Sequence, residues 1–207
     1  MVLPLAQAAP LNLRAIRSSH LPMDQPDWLN HLQSTASRAD RERAFRAFLH
    51  EWQVPIYRFA RRMVDSHEAA DEVTQETLIQ VYKSIDSFRG DSAFSTWVFS
   101  IANRKALDFI RSTARRWKLF QRLPEDFNDH LRALEADAHF TGSEAELKLH
   151  AAIATLPPRQ RQVFVMRYFE DLAYQEIAQI TSLTEGALKA SYHHAVSKIR
   201  RHIFITD

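Results

Sequence analysis

The sequence predicts an all-α fold: two small helical domains joined by an acidic flexible linker. Three observations lead there. Apolar residues recur at helical spacing, not in strict alternation, along most of the chain. Helix-start signals stand where those stretches begin. Glycine occurs only three times, at Gly90, Gly142 and Gly186, too few for a β-rich fold with many tight turns. With 207 residues and 45% hydrophobic content the chain can bury a core, and its length suits one large or two small domains. It divides into a mobile extension over 1–24, a helical domain over 25–118, a linker over 119–143 and a second helical domain over 144–207.

Asp27 to Val64 carries a helical stripe with Trp28, Leu32, Phe45, Phe48, Leu49 and Trp52 as core candidates. Pro55 is expected to interrupt it, with Ile56 to Val64 resuming as a short amphipathic helix. Asp65-Ser66 offers an N-cap for a helix running to about Ser87. Phe88 to Ser95 reads as a loop, and the next helix begins near Thr96 and passes Arg111. From Pro124 to Gly142 no pattern is sustained, hence the linker. Ser143 to Glu146 forms the S-x-x-E capping box that opens a helix. Pro157-Pro158 closes that helix, and Pro158 suits the first position of the next. Tyr174 to Ile180 is a short helix and Thr181-Ser182-Leu183 a turn. Thr184 can N-cap a last helix with Leu188, Tyr192, Ala195, Val196, Ile199 and Ile203 inward. This is a helix-turn-helix arrangement.

Composition excludes several chemistries. Three scattered glycines rule out the GxGxxG and GxxxxGK phosphate loops, and the lack of cysteine rules out disulfides, thiolate zinc sites and thiol nucleophiles. Nothing in the sequence calls for a cofactor, a metal or a small-molecule substrate. No stretch is apolar enough for membrane insertion, and Met1 to Pro10 lacks the cationic leader of a secretory signal. A cytoplasmic location is therefore expected. The net charge is only +2, but it is distributed in blocks. Residues 66–86 and 124–147 are acidic, whereas 98–122 and 186–202 are basic. Such alternation suits a chain that meets polyanions with some segments and basic protein with others.

Three stretches carry recognition chemistry. On a helical wheel of 66–86, Ala70, Val73, Thr77, Leu78, Val81 and Ile85 share one arc. Asp71, Glu72, Gln75, Glu76, Ile79 and Lys83 share the other. An isoleucine within a carboxylate face suits an interface with an apolar centre and a charged rim, and the expected partner is a basic protein surface. Phe88, Arg89, Asp91, Ser92 and Phe94, followed by Trp97, mix aromatic, cationic and small polar side chains as base-capturing loops do. Taken one at a time, Phe88, Phe94 and Trp97 each suit closing the core better than capturing a base. Ser100, Asn103, Arg104 and Arg111 share one face of the next helix, able to neutralise phosphate and to read a base edge. On the last helix Ala187, Ala190, Ser191, His194, Ser197, Lys198 and Arg201 face outward, as on a helix that enters a major groove.

In this order the stretches resemble the extracytoplasmic-function (ECF) class of the sigma-70 family of bacterial RNA polymerase sigma factors. Ala70-Asp71-Glu72-Val73-Thr74-Gln75-Glu76 is similar to region 2.2, and FRGDSAFSTWVFSIAN over Phe88–Asn103 to regions 2.3 and 2.4. Leu156-Pro157 with Arg161, then Tyr174-Gln175-Glu176-Ile177-Ala178, is similar to region 4. The resemblance implies an alternative sigma factor, without catalytic activity of its own, that directs initiation at a stress- or signal-responsive regulon. It implies that Asp71, Glu72, Gln75, Glu76 and Ile79 bind the β′ clamp helices of core RNA polymerase. It implies that Phe88, Arg89, Asp91, Ser92, Phe94, Trp97, Asn103, Arg104 and Arg111 melt and read the −10 element of promoter DNA. Region 4 is implied to touch the β flap and to read the −35 element through Thr184, Glu185, Ala187, Lys189, Ser191, His194, Lys198 and Arg201. An anti-sigma factor is an implied partner.

The recognition helix departs from the family. Where T-V-K-S-R and then R-A-R are common, this chain has Ala187-Leu188-Lys189-Ala190-Ser191 and His194-Ala195-Val196. Arginine–guanine pairs are missing, so specificity should lean on the −10 element, with Lys189, Lys198, Arg200 and Arg201 holding phosphates. A regulator that binds duplex DNA through its helix-turn-helix alone would need neither the acidic helix nor the aromatic loop. A metalloenzyme would need better than His193-His194, His67-Glu68 or His50-Glu51, none of which completes H-E-x-x-H.

Overall fold

The computed structural model describes residues 27–32, 37–117 and 126–204. The extension expected over 1–24 and the first part of the expected linker lie outside these residues. Among the described residues all regular structure is helical: α1 (Trp28–Leu32), α2 (Arg38–Met63), α3 (His67–Ser84), α4 (Phe94–Trp117), α5 (Phe127–Glu135), α6 (Glu144–Ala154), α7 (Pro158–Tyr168), α8 (Tyr174–Thr181) and α9 (Glu185–Phe204), with a short 3-10 turn over Ile85–Ser87. No described helix is long and apolar enough to cross a membrane.

Helices α1 to α4 form the N-terminal unit. Its core is aromatic: Phe48, Trp52, Phe59 and Phe99 are fully buried, and Phe94 meets the Trp28 and Trp52 rings edge-on at 5.4 Å. Such edge-to-face pairs add about 0.5–1.5 kcal/mol each beyond area burial. The Trp28 indole N–H donates to Glu51 at 2.8 Å and fastens α1 to α2. Ser66 caps α3 as expected, its hydroxyl accepting the Ala69 N–H.

Pro55 does not interrupt α2. The helix runs unbroken through it, although the ring removes the donor that the Glu51 carbonyl would otherwise receive. The reason is burial on both sides. Phe48, Trp52, Ile56 and Phe59 form one continuous inward stripe, and a break at Pro55 would rotate half of it out of the core. Burying four such side chains, at about 1.5–3 kcal/mol each, outweighs the roughly 3 kcal/mol cost of an interior proline.

Helices α6 to α9 form the C-terminal unit around Leu149, Ile153, Met166, Ile177 and Leu188, all buried. The Ser143–Glu146 capping box is present, and Pro158 opens α7. Thr184 accepts the Ala187 N–H at 3.3 Å and so caps α9. Ser182 takes the left-handed conformation that ends α8, with φ of 57°.

The patternless linker requires a correction. Asp126 accepts the Asp129 N–H at 2.9 Å and starts α5, which buries Phe127, His130 and Leu134. Phe127 stacks on His202 of α9 at 5.1 Å, and Asp137 beyond α5 accepts from Arg61 of α2 at 2.6 Å. Three buried side chains at i, i+3 and i+7 make this segment part of the packed structure, not a flexible tether over its whole length.

The two units meet. Arg62 of α2 pairs with Glu170 at 3.2 Å, with side-chain exposures of 8% and 2%, and its guanidinium covers the Phe169 ring at 3.9 Å. Arg161 of α7 donates to the Met63 carbonyl at 2.8 Å and lies 3.0 Å from the Asp65 carboxylate. A cation at the end of α2 satisfies a carbonyl left over by the helix and complements its dipole.

Candidate functional site

The acidic arc of α3 is open. Glu72, Gln75, Glu76 and Ile79 are exposed and Asp71 is half-exposed, while Ala70, Val73, Thr77 and Val81 are buried behind them. Ile79 is 46% exposed, and Tyr82, absent from the expected set, is 39% exposed one turn further on. The apolar centre is thus a pair of side chains at i and i+3, a spacing visible in the sequence. Lys105 of α4 donates to Glu76 at 2.9 Å and holds its carboxyl below the ordinary range. At the other end, His67 Nε2 lies 3.3 Å from Asp71. The Tyr57 hydroxyl meets His67 Nδ1 at 2.8 Å, and His139 stacks on the His67 ring at 3.9 Å.

The aromatic loop has its aromatics inward. Phe88 and Phe94 are buried at 8% and 4% exposure, and Trp97 is partly buried between them, 5.3 Å from Phe88 and 5.7 Å from Phe94. Helix α4 begins at Phe94, two residues before the expected start, because this ring anchors it to the core. Arg89 and Asp91 are exposed, Ser92 is partly so, and Gly90 between them has a φ of 79° that side-chain-bearing residues rarely adopt. The outward chemistry of this loop is polar, and its aromatics brace it from below.

Ser100, Asn103, Arg104 and Arg111 do share one face of α4, but that face is covered. The start of α7 and the end of α8 lie over its middle and border a half-open cleft of about 440 Å³. Asn103 is only 5% exposed, whereas Arg104 and Arg111 reach solvent at the rim. One turn earlier the Thr96 hydroxyl donates to Glu176 at 2.9 Å. The other oxygen of Glu176 accepts the Ala173 N–H at 2.7 Å and closes the start of α8. One carboxylate thus shapes the helix-turn-helix and ties it to α4. The contact joins residues 80 positions apart, and no local pattern announces it.

On α9, Leu188, Ala195 and Ile199 are buried, with Tyr192, Val196 and Ile203 packed against the core. Ala187, Lys189 and His194 are exposed, as is Arg201, while Glu185, Ser191 and Lys198 are partly exposed. Glu185 pairs with Lys189 at 3.2 Å, and that ammonium sits 5.5 Å from the Tyr174 ring. Gly186 has nothing within 4 Å of where a Cβ would stand, so close packing does not require glycine there.

The chain matches known proteins over both units. The family model described as Sigma-70 region 2 matches residues 48–116, and Sigma-70, region 4 matches residues 146–199. The chain is 30% identical to the ECF RNA polymerase sigma-E factor of Haemophilus influenzae, covering 78% of this chain and 88% of that protein. It is 31% identical to the RNA polymerase sigma-H factor of Pseudomonas aeruginosa, over 79% of this chain and 88% of the relative. Among solved structures it is similar to the sigma factor RpoE from Bartonella quintana, crystallised with the anti-sigma factor NepR. The TM-score is 0.62 at 19% identity, covering 79% of this chain and 98% of that one. CnrH, solved with the cytosolic domain of CnrY, gives a TM-score of 0.58 at 20% identity, covering 80% and 91%.

Proposed function

Since the chain belongs to the extracytoplasmic-function class of the sigma-70 family, we propose that it serves as an alternative sigma factor whose core-polymerase surface is ready and whose −10 surface must be uncovered. The observation that carries this is the contrast between Ile79, 46% exposed at the centre of a carboxylate face, and Asn103, 5% exposed beneath α7 and α8.

Asp71, Glu72, Gln75 and Glu76 supply the charged rim for a basic surface on core polymerase, the β′ clamp helices. Ile79 and Tyr82 supply the apolar centre. Promoter reading then falls to two surfaces. Arg89, Asp91 and Ser92, held up by Phe88, Phe94 and Trp97, meet the melted −10 strand, with Asn103, Arg104 and Arg111 behind them. Helix α9 meets the −35 duplex, where Lys189, Lys198, Arg200 and Arg201 grip phosphates and Ala187 and Ser191 approach base edges. For Asn103 to act, the C-terminal unit must leave α4, which breaks Thr96–Glu176, Arg62–Glu170 and Arg161–Met63. An anti-sigma factor that favours the closed form would silence the protein, and an anti-sigma factor, NepR, is the partner in the solved Bartonella quintana relative.

Run-off transcription with core polymerase tests the assignment, with start sites mapped and single-base changes scanned through both promoter elements. Factor-dependent transcripts, with the larger losses at −10 positions, are expected. Absence of any factor-dependent start would defeat it.

A further inference from the structure

Three large apolar side chains are exposed among the described residues: Ile79 and Tyr82 on α3, and Val54 on α2. Val54 is the most exposed of them, at 51%, and belongs to none of the surfaces assigned above. It stands in a row with Arg46, His50 and Arg58 at steps of four residues, within an arc of about 120° on α2. Those three side chains are exposed, and none of them makes an ion pair among the described residues. The carboxylates near the row are engaged elsewhere. Glu42 pairs with Arg38, Asp40 with Arg43, and Glu51 accepts the Trp28 indole N–H. This face of α2 is therefore basic with an apolar centre. The face of α3 has the same plan with the opposite sign. Asp71, Gln75 and Ile79 also follow one another at steps of four, with Glu72 and Glu76 alongside. Glu72 is exposed and makes no ion pair among the described residues.

We infer that the basic face of α2 docks a second copy of this chain, through the acidic face of that copy's α3. Rows at i and i+4 are the ridges by which helices pack, and these two rows match in length and in register. Let the helices run parallel with Ile79 of one copy against Val54 of the other. Eight residues back, about 12 Å along each helix, Asp71 and Glu72 reach Arg46. Midway, Gln75 and Glu76 meet His50. One turn forward, Lys83, also exposed, meets Arg58, and this like-charge pair marks the end of the contact. The apolar centre is shielded by a rim of opposite charges, which fix the register more than they add affinity. Each copy keeps one face of each kind unused, so copies join head to tail. A copy held by its α3 has that face masked. On the reading of α3 as the polymerase surface, self-association and polymerase binding exclude one another, but the association itself does not depend on that reading.

Sedimentation velocity of the full chain, alone and free of polymerase, tests this. Reversible association with a Kd of about 10–100 µM is expected at low salt, weakened several-fold at about 0.5 M salt. Arg46→Glu and Glu72→Lys, both at exposed positions and checked for folding by circular dichroism, should each weaken self-association at least about tenfold. Mixing the two variants should restore it, because each keeps the face that the other has lost, and the double variant should associate by itself. Arg58→Glu should strengthen association by severalfold, since it turns the repulsion from Lys83 into attraction. A chain that stays monomeric up to millimolar concentration overturns the inference and leaves the α2 face to a different acidic partner. Association unchanged by Arg46→Glu, or not restored by mixing, overturns the pairing of α2 with α3. Weakening by Arg58→Glu as large as that by Arg46→Glu would show unspecific charge attraction and overturn the docked register.

Discussion

The acidic face of α3 and the polar face of α4 belong to neighbouring helices of one unit, and the fold treats them oppositely. The first carries Ile79 and Tyr82 into solvent with carboxylates around them. The second has its central amide, Asn103, shut beneath the C-terminal unit. Exposed apolar surface is costly, and keeping it open suits a partner that is met first. A buried amide at the proposed DNA-reading position suits a partner that is met only after a rearrangement. On the roles proposed for the two faces, the difference gives an order: polymerase, then opening, then promoter.

The comparison breaks most sharply at the ion pair that joins the units. Arg62→Met at pH 8 leaves the Glu170 carboxylate, 2% exposed, without its cation. A loss of about 3–5 kcal/mol in urea unfolding is expected, with most of it recovered by combining Arg62→Met with Glu170→Leu. If the single variant is as stable as the parent, this pair does not hold the closed form.

Acid gives the next largest effect, and it separates two groups at the same junction. Burial pushes the Glu170 carboxyl up to about 7 in spite of Arg62, and burial with Arg62 and Arg61 nearby pushes His150 down to about 3. Between pH 5 and 6 the folded chain carries its proton on Glu170 and the unfolded chain on His150. For this pair the counts are equal, so its net contribution to the slope of stability with pH is nearly zero there. His150→Gln leaves the Glu170 contribution alone, which is complete below about 4.5 and lost as pH rises towards 7. Stability should then fall by about 1.4 kcal/mol per pH unit through that window. Glu170→Gln should show the reverse, stability falling as pH drops below about 6.5. Thermal unfolding from pH 4.5 to 7.5 checks all three slopes.

On the open face, Asp71→Lys with Gln75→Ala should weaken core polymerase binding about tenfold, or roughly 1.4 kcal/mol, in fluorescence anisotropy. Stability should hardly change, because Asp71 meets His67 from a half-exposed position, where such a pair contributes little. A change within about twofold would misassign the surface. The smallest effect sharpens the closed face. Thr96→Val removes one hydrogen bond across the units, worth about 1 kcal/mol. The free protein should then bind a single-stranded −10 oligonucleotide several-fold better, provided the Thr96–Glu176 contact opposes opening.

What was legible in the sequence was local. Ser66, Ser143 and Thr184 cap the helices that their spacing to the next apolar stretch marks out, and the α9 stripe follows from periodicity. The arcs of α3 and α4 were also legible, because a wheel needs only neighbours. Helix α5 was missed because no pattern is sustained over Pro124 to Gly142 as a whole, although Asp126 and the Phe127, His130, Leu134 spacing lie within it. Pro55 misled because a local rule was applied where burial of Phe48, Trp52, Ile56 and Phe59 decides. The covering of Asn103 was not legible. It depends on contacts such as Thr96–Glu176 and Arg161–Met63 that join distant positions. A wheel can say which side chains face together, not whether another unit lies over them.

Helix α5 also sets a leash. Its nine residues span about 13 Å when helical, at 1.5 Å per residue, and roughly 30 Å when drawn out. Melting it would add about 17 Å of reach between the units, at the loss of the burial of Phe127, His130 and Leu134. A modest opening can keep α5 wound, while unwinding it lengthens the connection between the two units. If the two units read the two promoter elements as proposed, the gap that they can bridge depends in part on the stability of one short helix.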